Sequence, residues 1–474
     1  MTPLPILQVS LPIEYLHLET GAILLFLAVV IWAQFRRAGT PTYDVAGSLA
    51  PLRLLPIFFV LLAVQFARML QEKSPLLGIE LAAGITLSLL HPVNALCFMV
   101  HLMILRPWEV EVGNPLLVRL PRLTAALCVV SYLIHPKHRA SLDRRNRRAV
   151  FYVLAFCGWV LLTVIKIPGR AAVLEDWFDT FFKSLTAFGM ALFFIESDVS
   201  VREFELTLAI SSLALMSNAF YRFYSGGMTS GRLQSTGLLG DPNDLGAIIV
   251  MALPFVVVPV FQKATGLFAR AAGLLYAGLA AFVIWLTRSR GTMLAIVGQF
   301  LAFRAARAKR IRVSLVFTAC LLGAGYVGLM HLVPRDEDEM AASQDSRLTY
   351  WKTAVNMAVH NPILGVGFRQ YPENYMSYAV GTIYERGIRT AHSSWFLALG
   401  ETGFVGFFFY FSFFSSVARM AWRSREKRPA QLYALTGYGV AMSFLSHTYS
   451  MDFFLLTGLI IASNGVKERI VDGV

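Results

Sequence analysis

The stretch Ala269-Arg-Ala-Ala-Gly-Leu-Leu-Tyr-Ala-Gly-Leu-Ala-Ala-Phe-Val-Ile-Trp-Leu-Thr287 runs directly into Arg288-Ser-Arg290-Gly291. Apart from Arg270 it is apolar, and it has the length of a helix that crosses a bilayer, about 20 residues. Comparable stretches lie near 16–35, 53–70, 76–90, 93–105, 117–134, 149–167, 177–195, 203–222, 243–262, 291–304, 313–332, 403–421, 431–448 and 451–466. Those at 76–90, 93–105 and 291–304 are short, which sets the expected count at about 12 to 15 spans. His91-Pro92 is either a break between two spans or the tip of a re-entrant hairpin.

Composition agrees with this pattern. Of 474 residues, 56% are hydrophobic and only 15% charged, and the mean hydropathy is +0.58. Soluble domains carry about 25% charged residues, so a water-facing globule is excluded. The expectation is an all-α polytopic membrane protein, with 1–474 forming a single transmembrane domain and 333–402 one large external loop. The net charge of +13 reads as cytoplasmic Lys and Arg, not as a nucleic-acid surface. Cys97, Cys128, Cys157 and Cys320 all fall in apolar stretches without metal-ligand spacing, so neither disulfides nor a metal centre is expected. No cleavable signal peptide is expected, because Arg36-Arg37 follow the first apolar run.

Basic loops set the orientation. His135–Arg148 carries Lys137, Arg139, Arg144, Arg145, Arg147 and Arg148 and is expected to be cytoplasmic. Counting spans from there places the other basic loops, around Lys263, Arg304–Arg312, Arg423–Arg428 and Lys467, on the same side. The segments 168–176, 223–242, 287–291 and 333–402 then lie outside. A structureless loop as long as 333–402 would be unusual. Ser346 is expected to cap a helix from Arg347, with Leu348, Trp351 and Val355 on one side, Asn361-Pro362 stopping it, and Gly365 and Gly367 turning the chain back.

The positive-inside rule does not account for the external cations Lys183, Arg222, Arg232, Arg288 and Arg290, nor for Arg119 and Arg122. Charge at membrane depth is costly and marks sites or pathways. Arginine presents a planar fork matched to phosphate oxygens. These residues are therefore candidates for binding a di-anionic head group such as a lipid pyrophosphate; the plain alternatives are snorkelling to lipid phosphates and structural ion pairs. Asp336-Glu-Asp-Glu339 lacks the spaced ligands of a calcium loop and reads as a solvated charge run.

The external segment ends Thr390-Ala-His392-Ser393-Ser-Trp-Phe-Leu-Ala-Leu-Gly-Glu401-Thr-Gly403-Phe-Val-Gly406. Gly403 and Gly406 are three apart, a spacing that puts both on one helix face open to a neighbouring helix. His392 has a side chain suited to proton transfer near neutral pH. The His392, Ser393, Gly403, Gly406 spacing resembles that of the O-antigen ligase and polymerase-like family. Ser346-Arg347-Leu-Thr-Tyr-Trp351, Asn361-Pro-Ile-Leu-Gly365-Val-Gly367, Ser289-Arg290-Gly291 and Gly240-Asp241-Pro-Asn243 add to the likeness, which covers roughly 200–465. The Ala-His-Ser start and the Leu-Gly-Glu-Thr-Gly-Phe-Val-Gly run are most similar to O-glycosylation ligases associated with exosortase systems.

The resemblance implies a GT-C-like membrane glycosyltransferase that moves a glycan from undecaprenyl pyrophosphate to an acceptor on the periplasmic side of the inner membrane, without metal, cofactor or nucleotide sugar. By position it makes His392 the acceptor-activating base and assigns the pyrophosphate to Arg290 with Arg232. Arg347 and Trp351 belong to the lid. His447 and Asp452, at the last external turn, read as hydrogen-bonded packing residues. The acceptor distinguishes a ligase, onto lipid or protein, from a polymerase of repeat units. A secondary transporter is the reading of another class; it calls for polar residues at the membrane midplane, whereas the unusual polar residues of this sequence gather at the external face.

Overall fold

The structure is a computed structural model that describes residues 84–106, 115–135, 144–224, 226, 228–229, 232–233, 241–262, 266–307, 337–380 and 390–466. The expected spans near 16–35, 53–70 and 313–332, together with Cys320 and Asp336, lie outside these residues. The described chain is helical but for one small hairpin. In order it forms α1 (Pro92–Leu105), α2 (Pro115–Ile134), α3 (Arg144–Ile165), α4 (Arg170–Asp176), a π-helical stretch (Trp177–Phe182), α5 (Lys183–Phe194) and α6 (Asp198–Tyr224). The antiparallel pair β1 (Met228–Thr229) and β2 (Arg232–Leu233) follows. Then come α7 (Pro242–Val260), α8 (Leu267–Thr287), α9 (Arg290–Arg307), α10 (Glu337–His360), α11 (Tyr371–Tyr378), α12 (Ser394–Arg423), α13 (Pro429–Ala441) and α14 (Met451–Gly465). Among the described residues, Asn146–Ile165, Pro242–Val260, Ala269–Thr287 and Ser394–Arg423 are long and apolar enough to cross a membrane.

Local chemistry explains several boundaries. His91 is extended, its Nδ1 accepts from the Val93 amide at 3.2 Å, and Pro92 occupies the first turn, so His91-Pro92 starts a helix after the helical residues 84–90. Asp241 caps α7 in the same way, accepting from the Asn243 amide at 2.8 Å.

Contacts sort the helix ends into two groups. At one end Arg428 pairs with Asp198 and donates to the Ser463 carbonyl, and Asn146 Nδ2 donates to the Ile461 carbonyl at 3.0 Å. At the other, the Phe368 amide donates to Thr163 Oγ1 at 3.0 Å, Ser184 Oγ to the Tyr449 carbonyl at 2.8 Å, and Arg232 Nε to the Thr287 carbonyl at 3.0 Å. The first group holds residues expected to be cytoplasmic and the second those expected outside, so the packing reproduces the alternation read from charge. We call the second group the site end.

Several expected boundaries change. The presumed loop 168–176 is helical from Arg170, after the left-handed Gly169 (φ 71). The span expected at 431–448 ends as a helix at Ala441 and passes through a 3-10 turn (Met442–Phe444), which leaves 445–450 as a connecting turn. Ser346 is not an N-cap: α10 begins at Glu337. Polar residues are also not confined to the site end. Between α1 and α6, His101 Nδ1 meets Ser211 Oγ at 2.8 Å and Cys97 hydrogen-bonds Thr207, all four buried or nearly so. Such contacts join helices inside a membrane.

Candidate active site at one end of the bundle

The lid and α12 interlock through a break in the helix. Gly403 has φ 68 and ψ −173 inside α12, which splits it into a short piece at the site end and a long remainder. The segment 361–367 enters the break. The Val366 and Gly367 amides donate to the carbonyls of Gly400 and Glu401, each at 2.9 Å, and the Phe404 amide donates to the Pro362 carbonyl at 2.8 Å. Backbone groups freed by the break thus find partners in the lid. Gly403 therefore does not share a helix face with Gly406, contrary to the reading of their spacing. Gly406 alone fits that reading, since an added Cβ would lie 2.8 Å from Trp159 of α3. Buried Glu401 holds the same junction, accepting from the Tyr371 amide at 3.3 Å and the Tyr449 hydroxyl at 2.8 Å.

Asn361-Pro362 does end α10, and Gly365 (φ 61) and Gly367 (φ 111) make the return turn. The packed face of α10 carries Tyr350, Ala354 and Met357, which form a lid core with Tyr371, Tyr375 and Leu397. The side that carries Leu348 and Val355 is exposed. With Trp351, Val359, Val380 and Phe396 it lines an apolar groove of about 460 Å³.

The turn after α13 ties the site together. His392, left-handed at φ 46 and half-buried, donates its amide to Ser446 Oγ at 3.1 Å, and its ring lies 5.8 Å from that of Tyr350. Ser394 Oγ donates to the Leu445 carbonyl at 2.7 Å and accepts from the His447 amide at 2.8 Å. Thr448 Oγ1 donates to the Ser394 carbonyl at 2.8 Å. Two residues before Ser446, the Phe444 ring lies against Gly291 and under the Arg347 guanidinium, 5.8 Å from its centroid. Trp351 stacks on Phe396 at 5.1 Å and reaches Phe444 at 6.5 Å.

The predicted cations differ in their partners. Arg232 Nη2 donates to Asn243 Oδ1 at 3.1 Å. Burial lowers the Arg232 pKa, Asp241 partly offsets this, and the Arg347 cation adds to the lowering, so the two guanidiniums lie within electrostatic reach. Arg290 is the first residue of α9, next to the Gly291 that Phe444 covers. Arg288 caps α8 in the left-handed region (φ 50), and Arg222 lies in the last turn of α6. Lys183 instead pairs with Asp179, four residues before it, at 2.9 Å, and Arg122 reaches the same carboxylate at 3.2 Å. Among the described residues the non-glycine positions with positive φ are Arg106, Arg288, Arg369 and His392, all cationic or potentially so. Side chains other than Asn, Asp and His seldom take this conformation.

The sequence reading missed Asp244. Its Oδ1 lies 2.9 Å from His447 Nε2, while His447 Nδ1 meets the Tyr438 hydroxyl at 2.8 Å. Asp244 directly follows the Gly-Asp-Pro-Asn run, and a helical reading of that run places it one turn into α7; nothing local pointed to His447 as its partner.

Four described helices long and apolar enough to cross a bilayer define a multi-pass membrane protein. The family model described as O-Antigen ligase matches residues 275–411. The matched part, from within α8 through Arg288, Arg290, the lid and His392 to within α12, is thus similar to O-antigen ligases. No curated protein matches the chain.

Proposed function

We propose that this protein transfers a glycan from undecaprenyl pyrophosphate to an acceptor hydroxyl, at a site facing the periplasmic side of the inner membrane. The similarity to O-antigen ligases supports glycan transfer of the ligase or polymerase type. The observation that carries the finer reading is the turn 442–448, which contacts Gly291 and Arg347 on one side and His392 on the other. An anion held at the start of α9 by Arg290, with Arg232 and Arg347 close by, would also meet the positive end of that helix. The excess of basic residues at the opposite end supports the sidedness.

In the reaction, the acceptor oxygen attacks the anomeric carbon and the bond from that carbon to the pyrophosphate oxygen breaks. The leaving pyrophosphate keeps the electron pair, and the hydroxyl proton passes to an imidazole nitrogen of His392. Pyrophosphate is already a good leaving group, so the protein mainly positions the acceptor and neutralises developing charge. Arginines supply that charge without a metal ion or a nucleotide. The exposed apolar face of α10 suits a lid lying at the membrane interface.

The test is transfer from a purified undecaprenyl-pyrophosphate-linked oligosaccharide. Wild type should release undecaprenyl pyrophosphate and form product stoichiometrically with donor consumed, whereas transport of donor across vesicles without bond cleavage would refute the reading. Transfer onto a lipid core or protein makes the enzyme a ligase; growth of the donor-linked chain makes it a polymerase.

A further inference from the structure

We propose that Asp244 and His447 are a positioning pair that sets the placement of His392 relative to the arginine half of the site. The inference rests on the reading of His392 as the base. The first turn of α7 touches both halves. Asn243 accepts from Arg232, and Asp244, next in sequence, accepts from His447. The His447 backbone then holds Ser394, and Ser446 beside it holds both the His392 amide and the Thr390 hydroxyl, the latter at 2.6 Å. Hydrogen bonds joined by the peptide links 243–244 and 446–447 thus run from Arg232 to the backbone of His392, and Asp244–His447 is their tertiary link between α7 and the turn.

His447 is placed to hold structure and not to touch substrate. Its side chain is 14% exposed, and both ring nitrogens face protein partners. Donation from Nε2 to the carboxylate fixes the ring, leaving Nδ1 to the Tyr438 hydroxyl. The groups facing the ring are Asp244 from α7, Tyr438 from α13, Asp452 from the first turn of α14 and Arg106 after α1. Burial disfavours the imidazolium, but Asp244 and then Asp452 outweigh it and raise the His447 pKa above the ordinary histidine value, against Arg106. The hydrogen bond between His447 Nε2 and the Asp244 carboxylate ties the turn to α7.

The experiment uses the full chain in detergent or nanodiscs, with an undecaprenyl-pyrophosphate-linked oligosaccharide as donor and an acceptor that supports wild-type transfer. Asp244→Ala should lower kcat by about 100-fold, the scale of a misplacement near 1 Å, with the donor KM within about twofold of wild type. Asp244→Asn keeps an oxygen for Nε2–H and should recover to within about tenfold of wild type. In a His392→Ala background, Asp244→Ala should add less than about a twofold loss, because the group it positions is already gone. A loss of equal size in both backgrounds, or a loss carried by KM, would overturn the pair's role. If Asp244→Ala does not reach the membrane, Tyr438→Phe removes one hydroxyl at the same link; an unchanged kcat there counts against the proposal and a severalfold fall at constant KM supports it. Full transfer by His392→Ala would refute the reading of the base itself. A dead His392→Ala beside a fully active Asp244→Ala would refute only the pair.

Discussion

Gly365 and Gly403 meet backbone to backbone: a Cβ on Gly365 would lie 2.5 Å from the Gly403 nitrogen, and one on Gly403 would lie 2.8 Å from the Gly365 nitrogen. Each also has positive φ, 61 and 68. This reciprocal approach fastens the lid to α12 about one helical turn beyond Gly400, and it has no room for any side chain.

Gly403→Ala is therefore expected to destabilise the protein by about 3 kcal/mol or more, since its φ/ψ region is essentially reserved for glycine. Thermal unfolding of detergent-solubilised protein measures this. A melting temperature within about 1 °C of wild type would contradict the interlock.

His392→Ala should lower transfer by about 100- to 10,000-fold, the usual contribution of a general base, with the protein still folded in the membrane. Complementation of a deletion strain, with expression matched and glycan followed by blotting, checks it. Normal glycan would remove His392 from the mechanism.

For Arg290, the Lys variant should be nearly as weak as the Ala variant in binding a lipid-pyrophosphate analogue, because a planar fork holds two phosphate oxygens and an ammonium does not. Equal affinity in Arg290→Lys and wild type would show that charge alone suffices. Arg232 should behave alike, whereas Lys183→Ala, which removes a cation paired with Asp179, should alter affinity less than about twofold.

Transfer should continue in EDTA. Among the described residues, no three His, Cys, Asp or Glu side chains group as metal ligands, and the arginines can carry the charge that a divalent ion balances elsewhere. Loss in EDTA that magnesium or calcium restores would sink the metal-free mechanism. The same loss on replacing Asp336, Glu337, Asp338 and Glu339 together by Ser would locate the ion there.

The raised pKa of His447 gives stability a definite pH slope. A group whose pKa is raised by folding contributes fully below its unfolded value, about 6.5 for histidine, and loses the contribution as pH rises through the folded value. Wild type should therefore exceed His447→Gln in melting temperature by more at pH 6 than at pH 9, by about 1 °C or more. A difference independent of pH would mean that His447 is not charged in the folded protein.

Much of this protein was written locally. Apolar runs, basic loops and the stops at Asn361-Pro362 and Gly365 are each properties of one short stretch, and hydrocarbon thickness and water decide their outcome without help from the rest of the chain. His392 could be singled out for the same reason: its neighbourhood in sequence, from Ala391 to Gly406, carries the pattern. Gly403 was misread because a three-residue spacing is helical only if the backbone continues, and the segment 361–367, far away in sequence, replaces the hydrogen bonds that the break gives up. Lys183 was singled out for its charge alone, and the helix pairs it with Asp179 one turn away. Asp244 and His447 lie 203 positions apart, and no periodicity, motif or charge count relates two such residues. The sequence determined which segments are long and apolar enough to enter a membrane, because transfer from water to lipid is a property of each segment alone. Which acid faces which histidine, and which loop fills the break in α12, was decided only by tertiary packing, because a hydrogen bond needs both partners within about 3 Å and only the folded chain sets that distance.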